Sequence, residues 1–129
     1  MIVVQLAICC SFNDRGRPIV RATLGVDAYH LMARFGPLRV SRGDAAEALN
    51  PGALARRLTA ELDALACSGG QQTLILHPFL MIDESWCAGV RQVLGRIRRL
   101  VAADRIWVVP GGRVADWLRG PARSRVRDK

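Results

Sequence analysis

From Asn50 onward the chain alternates helical and strand-like hydrophobic patterns with a turn at each change, and this alternation restricts the fold more than any other feature. Leu54, Leu58, Leu62 and Leu65 recur on one face at helical spacing. They follow Asn50-Pro51, an N-cap with proline at the first helical position, and the helix should stop at Ser68-Gly69-Gly70. Thr73-Leu-Ile-Leu-His77 is then a short apolar run followed by Pro78. Proline biases His77 towards extended backbone, so the run reads as the end of a buried strand. Asp83 or Ser85 can cap a second helix, with Val90, Val93, Leu94, Ile97, Leu100 and Val101 as its inward stripe and Arg91, Arg98 and Arg99 on the solvated side. Ile106-Trp-Val-Val109 is a second buried strand ended by Pro110-Gly111-Gly112, and Val114, Trp117 and Leu118 suggest a last short helix. This order is that of parallel βα units, in which helices cover the sheet, so the expected class is α/β, as a piece of a larger sheet or barrel.

The first fifty residues carry weaker patterns. Pro18 to Leu24 can form a strand, Asp27 to Phe35 a helix capped by Asp27, and Gly43-Asp44-Ala-Ala-Glu47 resembles a capping box opening a short helical turn. A chain of 129 residues supports one hydrophobic core. Residues 1–120 are therefore expected to form one unit and residues 121–129 a basic, disordered tail with almost no apolar anchors.

The formal charge of +8 invites a nucleic-acid or anionic-membrane partner, but its distribution argues against both. Arg119, Arg123, Arg125, Arg127 and Lys129 against Asp128 give the last eleven residues +4, leaving the remainder mildly basic. Few aromatic residues interleave with the cations, whereas a single-strand binder stacks bases on rings beside them. Cys9, Cys10, Cys67 and Cys87 form no CxxC pair and are expected as buried or partly buried thiols. The apolar opening Met1 to Cys10 has no basic leader and is too short to span a bilayer, so it is expected as a buried strand of a cytoplasmic protein.

His77 ends a predicted parallel strand, the place where open α/β sheets and barrels put their active-site groups. The alternative is a hydrogen-bonded core histidine. Ile75 shares a strand face with His77 and would line any pocket the imidazole enters, while Leu74 and Leu76 point the other way. Trp107 and Trp117 could flank a sugar, but each sits in an apolar pattern that already accounts for it as core. Gly111-Gly112 could form a phosphate nest and is expected as a turn.

Thr73-Leu-Ile-Leu-His-Pro-Phe-Leu80, the long helix after it, Ile106-Trp-Val-Val109 and Val114-Ala-Asp-Trp-Leu-Arg119 together resemble the carboxy-terminal end of polysaccharide deacetylases of the NodB-homology type. The likeness is to the branch ending in a leucine-x-leucine-histidine-proline strand, which also contains hydrolases of small cyclic amides. It covers roughly Val26 to Gly120. It implies a partial (β/α) barrel, made of the C-terminal βα units of a deacetylase-type barrel. It also implies hydrolysis of non-peptide carbon–nitrogen bonds in carbohydrate metabolism, on an N-acetylated sugar or small amide. In that chemistry a metal-bound water activated by an aspartate attacks the carbonyl, and a histidine on the last motif strand protonates the leaving nitrogen. His77 matches that catalytic histidine by motif. Asp27, in Val-Asp-Ala-Tyr-His30, can match the aspartate that backs the site before an aromatic residue, the other reading being a plain helix N-cap.

The family's paired-aspartate strand and histidine-x-x-x-histidine motif have no counterpart, since His30 and His77 are the only histidines. His30 reads as a surface or packing residue. No metal ligands are therefore assigned and no cofactor is expected in this chain, although the intact family uses zinc or another divalent metal. The expectation is a truncated deacetylase-like hydrolase, inactive alone and self-associating through exposed strand edges. The competing expectation is a non-catalytic small basic α/β binding protein.

Overall fold

The computed structural model describes residues 4–10, 23–110 and 113. Its central feature is a sheet whose strands are β1 (Val4–Cys10), β2 (Thr23–Val26), β3 (Gly70–Leu76) and β4 (Trp107–Val109), in the spatial order β2-β3-β1-β4. β2 pairs parallel with β3, bringing Val26 opposite Ile75. β1 is antiparallel to both β3 and β4. β2, β3 and β4 therefore share one direction, but only β2 and β3 are hydrogen-bonded in parallel. The all-parallel sheet is corrected by β1. Passing from β3 to β4 leaves a gap one strand wide, and the amino-terminal apolar segment fills it, satisfying the backbone groups that both strands would otherwise leave unpaired.

Two helices cover the sheet, α3 (Pro51–Ser68) and α4 (Glu84–Ala102). Both start as their sequences predict. Asn50 accepts the Ala53 N–H at 2.8 Å, Pro51 opens the first turn, and Asp83 accepts the Trp86 N–H at 2.8 Å. α3 stops at Gly69, whose φ of 74° is open to a residue without Cβ and whose N–H returns to Leu65 O. The core joins Leu54, Leu58, Leu62 and Leu65 of α3 to Trp86, Val90, Val93, Ile97 and Leu100 of α4, with Leu74 of β3 beneath and Ile106 at the end. Gly89 lets the helices approach: a Cβ there would lie 3.3 Å from Ala55 Cβ and 3.1 Å from Trp86 Cε3.

Strand alternation places Gln72 and Leu74 under the helices, with Leu76 packed against their core, while Thr73 and Ile75 are half-buried. Gln72 is a buried amide in an apolar layer. Its Nε2 donates to Glu61 Oε2 at 2.8 Å, and Arg57 holds the other oxygen of that carboxylate, so the amide's donor is satisfied.

Several expectations are corrected. The helix from Asp27 to Phe35 breaks into α1 (Asp27–Leu31), a 3₁₀ turn Ala33–Phe35 and α2 (Gly36–Ser41), because Gly36-Pro37 starts a fresh helix with proline in its first turn. Residues 43–47 form turns and bends rather than a capped helix. Leu94 and Val101, placed in the inward stripe of α4, are 45% and 40% exposed, since the two longer-spaced positions rotate out of the contact with α3. Trp107, expected in the core, is 41% exposed on a strand of only three residues. Cys67, expected buried or partly buried, is exposed, whereas Cys87 is intermediate. The expected helix around Trp117, the Gly111-Gly112 turn and the basic tail lie outside the described residues, as does most of the strand proposed for Pro18 to Leu24.

Candidate active site

His77 follows β3 directly and Asp27 follows β2 directly, so parallel pairing of the two strands delivers both residues to the same carboxy-terminal edge of the sheet. Their side chains meet. Asp27 Oδ1 lies 2.5 Å from His77 Nδ1, and Asp27 Oδ2 accepts the backbone N–H of His77 at 2.8 Å. Oδ1 also accepts the Ala28 N–H at 2.6 Å. Asp27 is 1% exposed, which leaves its carboxylate no water to rely on and makes these contacts its solvation.

The N-cap alternative for Asp27 is thereby corrected. The cap position of α1 is Val26, with no side-chain capping bond, and Asp27 stands inside the first turn facing the neighbouring strand. In a neutral imidazole whose Nδ1–H donates to a carboxylate, Nε2 carries the lone pair; in the protonated ring it carries a proton. Nε2 of His77 has no hydrogen-bond partner among the described residues, and the ring retains 16% of its side-chain exposure. Phe79 tilts against it with ring centroids 5.4 Å apart. The pair is thus a buried, anchored carboxylate orienting an imidazole whose other nitrogen can give or take a proton.

Ile75 lies opposite Val26 in the pairing that brings Asp27 and His77 together. A separate cleft is formed by Leu31, Leu49, Pro51, Leu80, Asp83 and Trp86.

The short helix carrying Asp27 is held by a residue that sequence reasoning missed. α1 is five residues long, too short to persist by itself. Arg39 of α2 is 2% exposed, and its guanidinium donates to the carbonyls of Tyr29, Met32 (3.1 Å), Ala45 (3.1 Å) and Ala46 (2.6 Å). One planar fork therefore ties the end of α1 to the loop after α2. Gly36 lets that loop come close, since a Cβ there would meet Ala46 O at 3.0 Å. Nothing in Pro37-Leu-Arg-Val40 distinguishes Arg39 from a solvated helix arginine, because its acceptors are carbonyls that every sequence possesses.

His30 packs inside the same corner, as the packing alternative expects. It is 7% exposed, and its ring meets Tyr29 edge-on at 4.8 Å. Tyr29 in turn donates to Asp44 Oδ2 at 2.5 Å. Burial, followed by the Arg57 charge, pushes the His30 imidazole below its ordinary value of 6.5, although Asp44 and Glu61 oppose the shift. A depressed histidine binds its proton more readily unfolded than folded. Its contribution to stability is complete above the unfolded value and is lost as the pH falls from there towards the folded one. The thermal midpoint should accordingly fall between about pH 7.5 and about pH 5.5, with a shallower fall in His30→Gln, measured by circular dichroism. Equal slopes would show that His30 does not carry the linkage.

Among the described residues no three His, Cys, Asp or Glu side chains are grouped so that they could hold a metal ion. The Asp27 carboxylate is already committed to His77 and Ala28, and a catalytic zinc normally takes three protein ligands. The described residues therefore do not fit the metal that the family resemblance implies. No helix among the described residues is long and apolar enough to cross a membrane. Compared with family models, curated proteins and solved structures, the chain shows no match.

Proposed function

We propose that Asp27 and His77 form the acid–base pair of a hydrolase acting on non-peptide carbon–nitrogen bonds, of the polysaccharide-deacetylase type. The observation that carries this reading is the 2.5 Å contact between Asp27 Oδ1 and His77 Nδ1 at the carboxy ends of adjacent parallel strands, with Nε2 unpartnered among the described residues. Amide nitrogen does not leave as an anion. Water gives a proton to a general base outside the dyad as its oxygen bonds to the carbonyl carbon; the carbon–nitrogen bond then breaks as the nitrogen takes the proton from protonated His77 Nε2, while Asp27 keeps the ring aimed and balances its charge. N-acetylated sugars and small amides are the substrate class of this proposal. A reducing cytoplasm, where Cys67 and Cys87 remain thiols, is its compartment.

The (β/α) barrel belongs to the same proposal. β2, β3 and β4 share one direction as barrel strands do, whereas antiparallel β1 lies outside such an arrangement. The dyad itself does not supply the groups that activate water. The test is acetate release from N-acetylated oligosaccharides with added zinc, using this chain and a version extended by the reading frame upstream of Met1. The extended protein should turn over, and His77→Ala should slow it by about 10²- to 10⁴-fold. Undiminished turnover in that variant would remove His77 from the reaction. Turnover by the chain alone, abolished by His77→Ala, would keep the hydrolase and overturn its incompleteness.

A further inference from the structure

The cleft beside the dyad has a chemistry of its own. It encloses about 200 Å³ between Leu31, Leu49, Pro51, Leu80, Asp83 and Trp86. Leu31 ends α1, whose first residue is Asp27, and Leu80 lies in the 3₁₀ turn Pro78–Ile82 that begins directly after His77. The cleft is therefore mounted on the two elements that carry the dyad, although neither Asp27 nor His77 lines it.

Its wall combines leucine and proline side chains with polar surface. Leu31, Leu49 and Leu80 pack against the core, and Trp86, 1% exposed, supplies the largest ring. The indole Nε1 has no acceptor among the described residues and is itself shielded. Among the described residues, Asp83 is the only charged one of the lining. Its Oδ1 accepts from Ser85 Oγ and the Trp86 N–H, and no arginine pairs with it among the described residues, in a chain carrying an excess of cations. A carboxylate with no cationic partner among the described residues, set beside leucine and proline side chains, suits an organic cation with a small hydrocarbon body, because the charge meets the carboxylate while the body leaves water.

We propose that this cleft binds a small primary amine, its apolar body against Leu31, Leu49, Pro51, Leu80 and Trp86 and its ammonium on Asp83. The site does not depend on the chemistry proposed for His77. Benzylamine is a suitable probe, with benzyl alcohol as its uncharged counterpart. A few heavy atoms give millimolar binding at best, which suits a titration followed by ¹H–¹⁵N correlation spectra of the full chain. The Trp86 indole resonance, assigned with Trp86→Phe, and the amides of Leu31 and Leu80 should shift saturably with benzylamine. Benzyl alcohol should bind at least about tenfold more weakly, as should benzylamine to Asp83→Asn. That variant keeps the α4 cap, because asparagine caps as well as aspartate, so its loss reports the charge and not the fold. His77→Ala should bind benzylamine unchanged, which separates this site from the dyad. No saturable shift at these residues, equal binding of the alcohol, or unaltered binding by Asp83→Asn would each overturn the proposal.

Discussion

Arg39→Leu is expected to lower the unfolding free energy by about 3 kcal/mol, an unusual effect for an arginine with no carboxylate in direct contact. The cause lies in its acceptors. The carbonyls of Tyr29, Met32, Ala45 and Ala46 all receive guanidinium N–H groups, and a buried polar group left without its partner costs about 1–3 kcal/mol. Water reaching some of them offsets part of that sum, which sets the total near the cost of a few lost partners rather than all four. Arg39→Lys should recover only part of the loss, since an ammonium is a compact charge that cannot span four carbonyls arranged around a plane. With a urea slope of about 1–3 kcal/mol/M for a small protein, the leucine variant should unfold at least about 1 M earlier. A midpoint unchanged by Arg39→Leu would mean that the corner between α1 and the loop after α2 is held by something else. The functional corollary is that Arg39 is a positioning residue: loosening it should broaden the His77 ring resonances through the displaced Asp27.

The second large effect is at Asp27 itself. Asp27→Leu keeps the branched shape, with methyl groups in place of the oxygens, and removes the acceptor of the Ala28 and His77 N–H groups, so a loss of about 2–5 kcal/mol follows from two buried donors left unsatisfied. Asp27→Asn is the more informative variant, because the amide has one acceptor oxygen and one donor nitrogen. If its oxygen keeps the backbone N–H of His77, its nitrogen takes the place of Oδ1, where it leaves the Ala28 N–H without an acceptor, faces His77 Nδ1 and must donate there. The neutral imidazole should therefore change from the Nδ1–H to the Nε2–H tautomer, which ¹⁵N chemical shifts of the ring distinguish. The same tautomer in both proteins would show that Asp27 does not orient the ring, and the acid–base proposal would lose its positioning element.

Local patterns made much of the scaffold legible. The leucine spacing behind Asn50-Pro51 and the cap at Asp83 marked α3 and α4, and the Thr73–Leu76 run before Pro78 marked the end of β3. Each signal acts within a few residues: a capping side chain, a periodic face, a proline that prevents helix. Where neighbours decide, the same logic fell short. Leu94 and Val101 fit the apolar period of α4, yet α3 covers a narrower stripe, and both stand in solvent. Trp107 reads as core, yet it lies on a short strand whose partner, β1, comes from the opposite end of the chain.

His77 could be singled out because its strand end and its motif are both local. Asp27 could be named but not assigned its task. A carboxylate before a short helix satisfies an N-cap pattern as well as a site, and only pairing of β2 with β3 across fifty residues turns it towards the imidazole.

By itself, then, the sequence determined where helices begin and stop, which faces are apolar, and that a histidine ends a strand, because these rest on backbone sterics and side-chain periodicity over a single turn or strand. Only the tertiary structure decided that β1 lies between β3 and β4, that Arg39 is buried on carbonyls, and that Asp27 and His77 share a hydrogen bond. Those outcomes depend on which distant backbone groups meet when the sheet closes, and their partners carry no residue-specific mark along the chain.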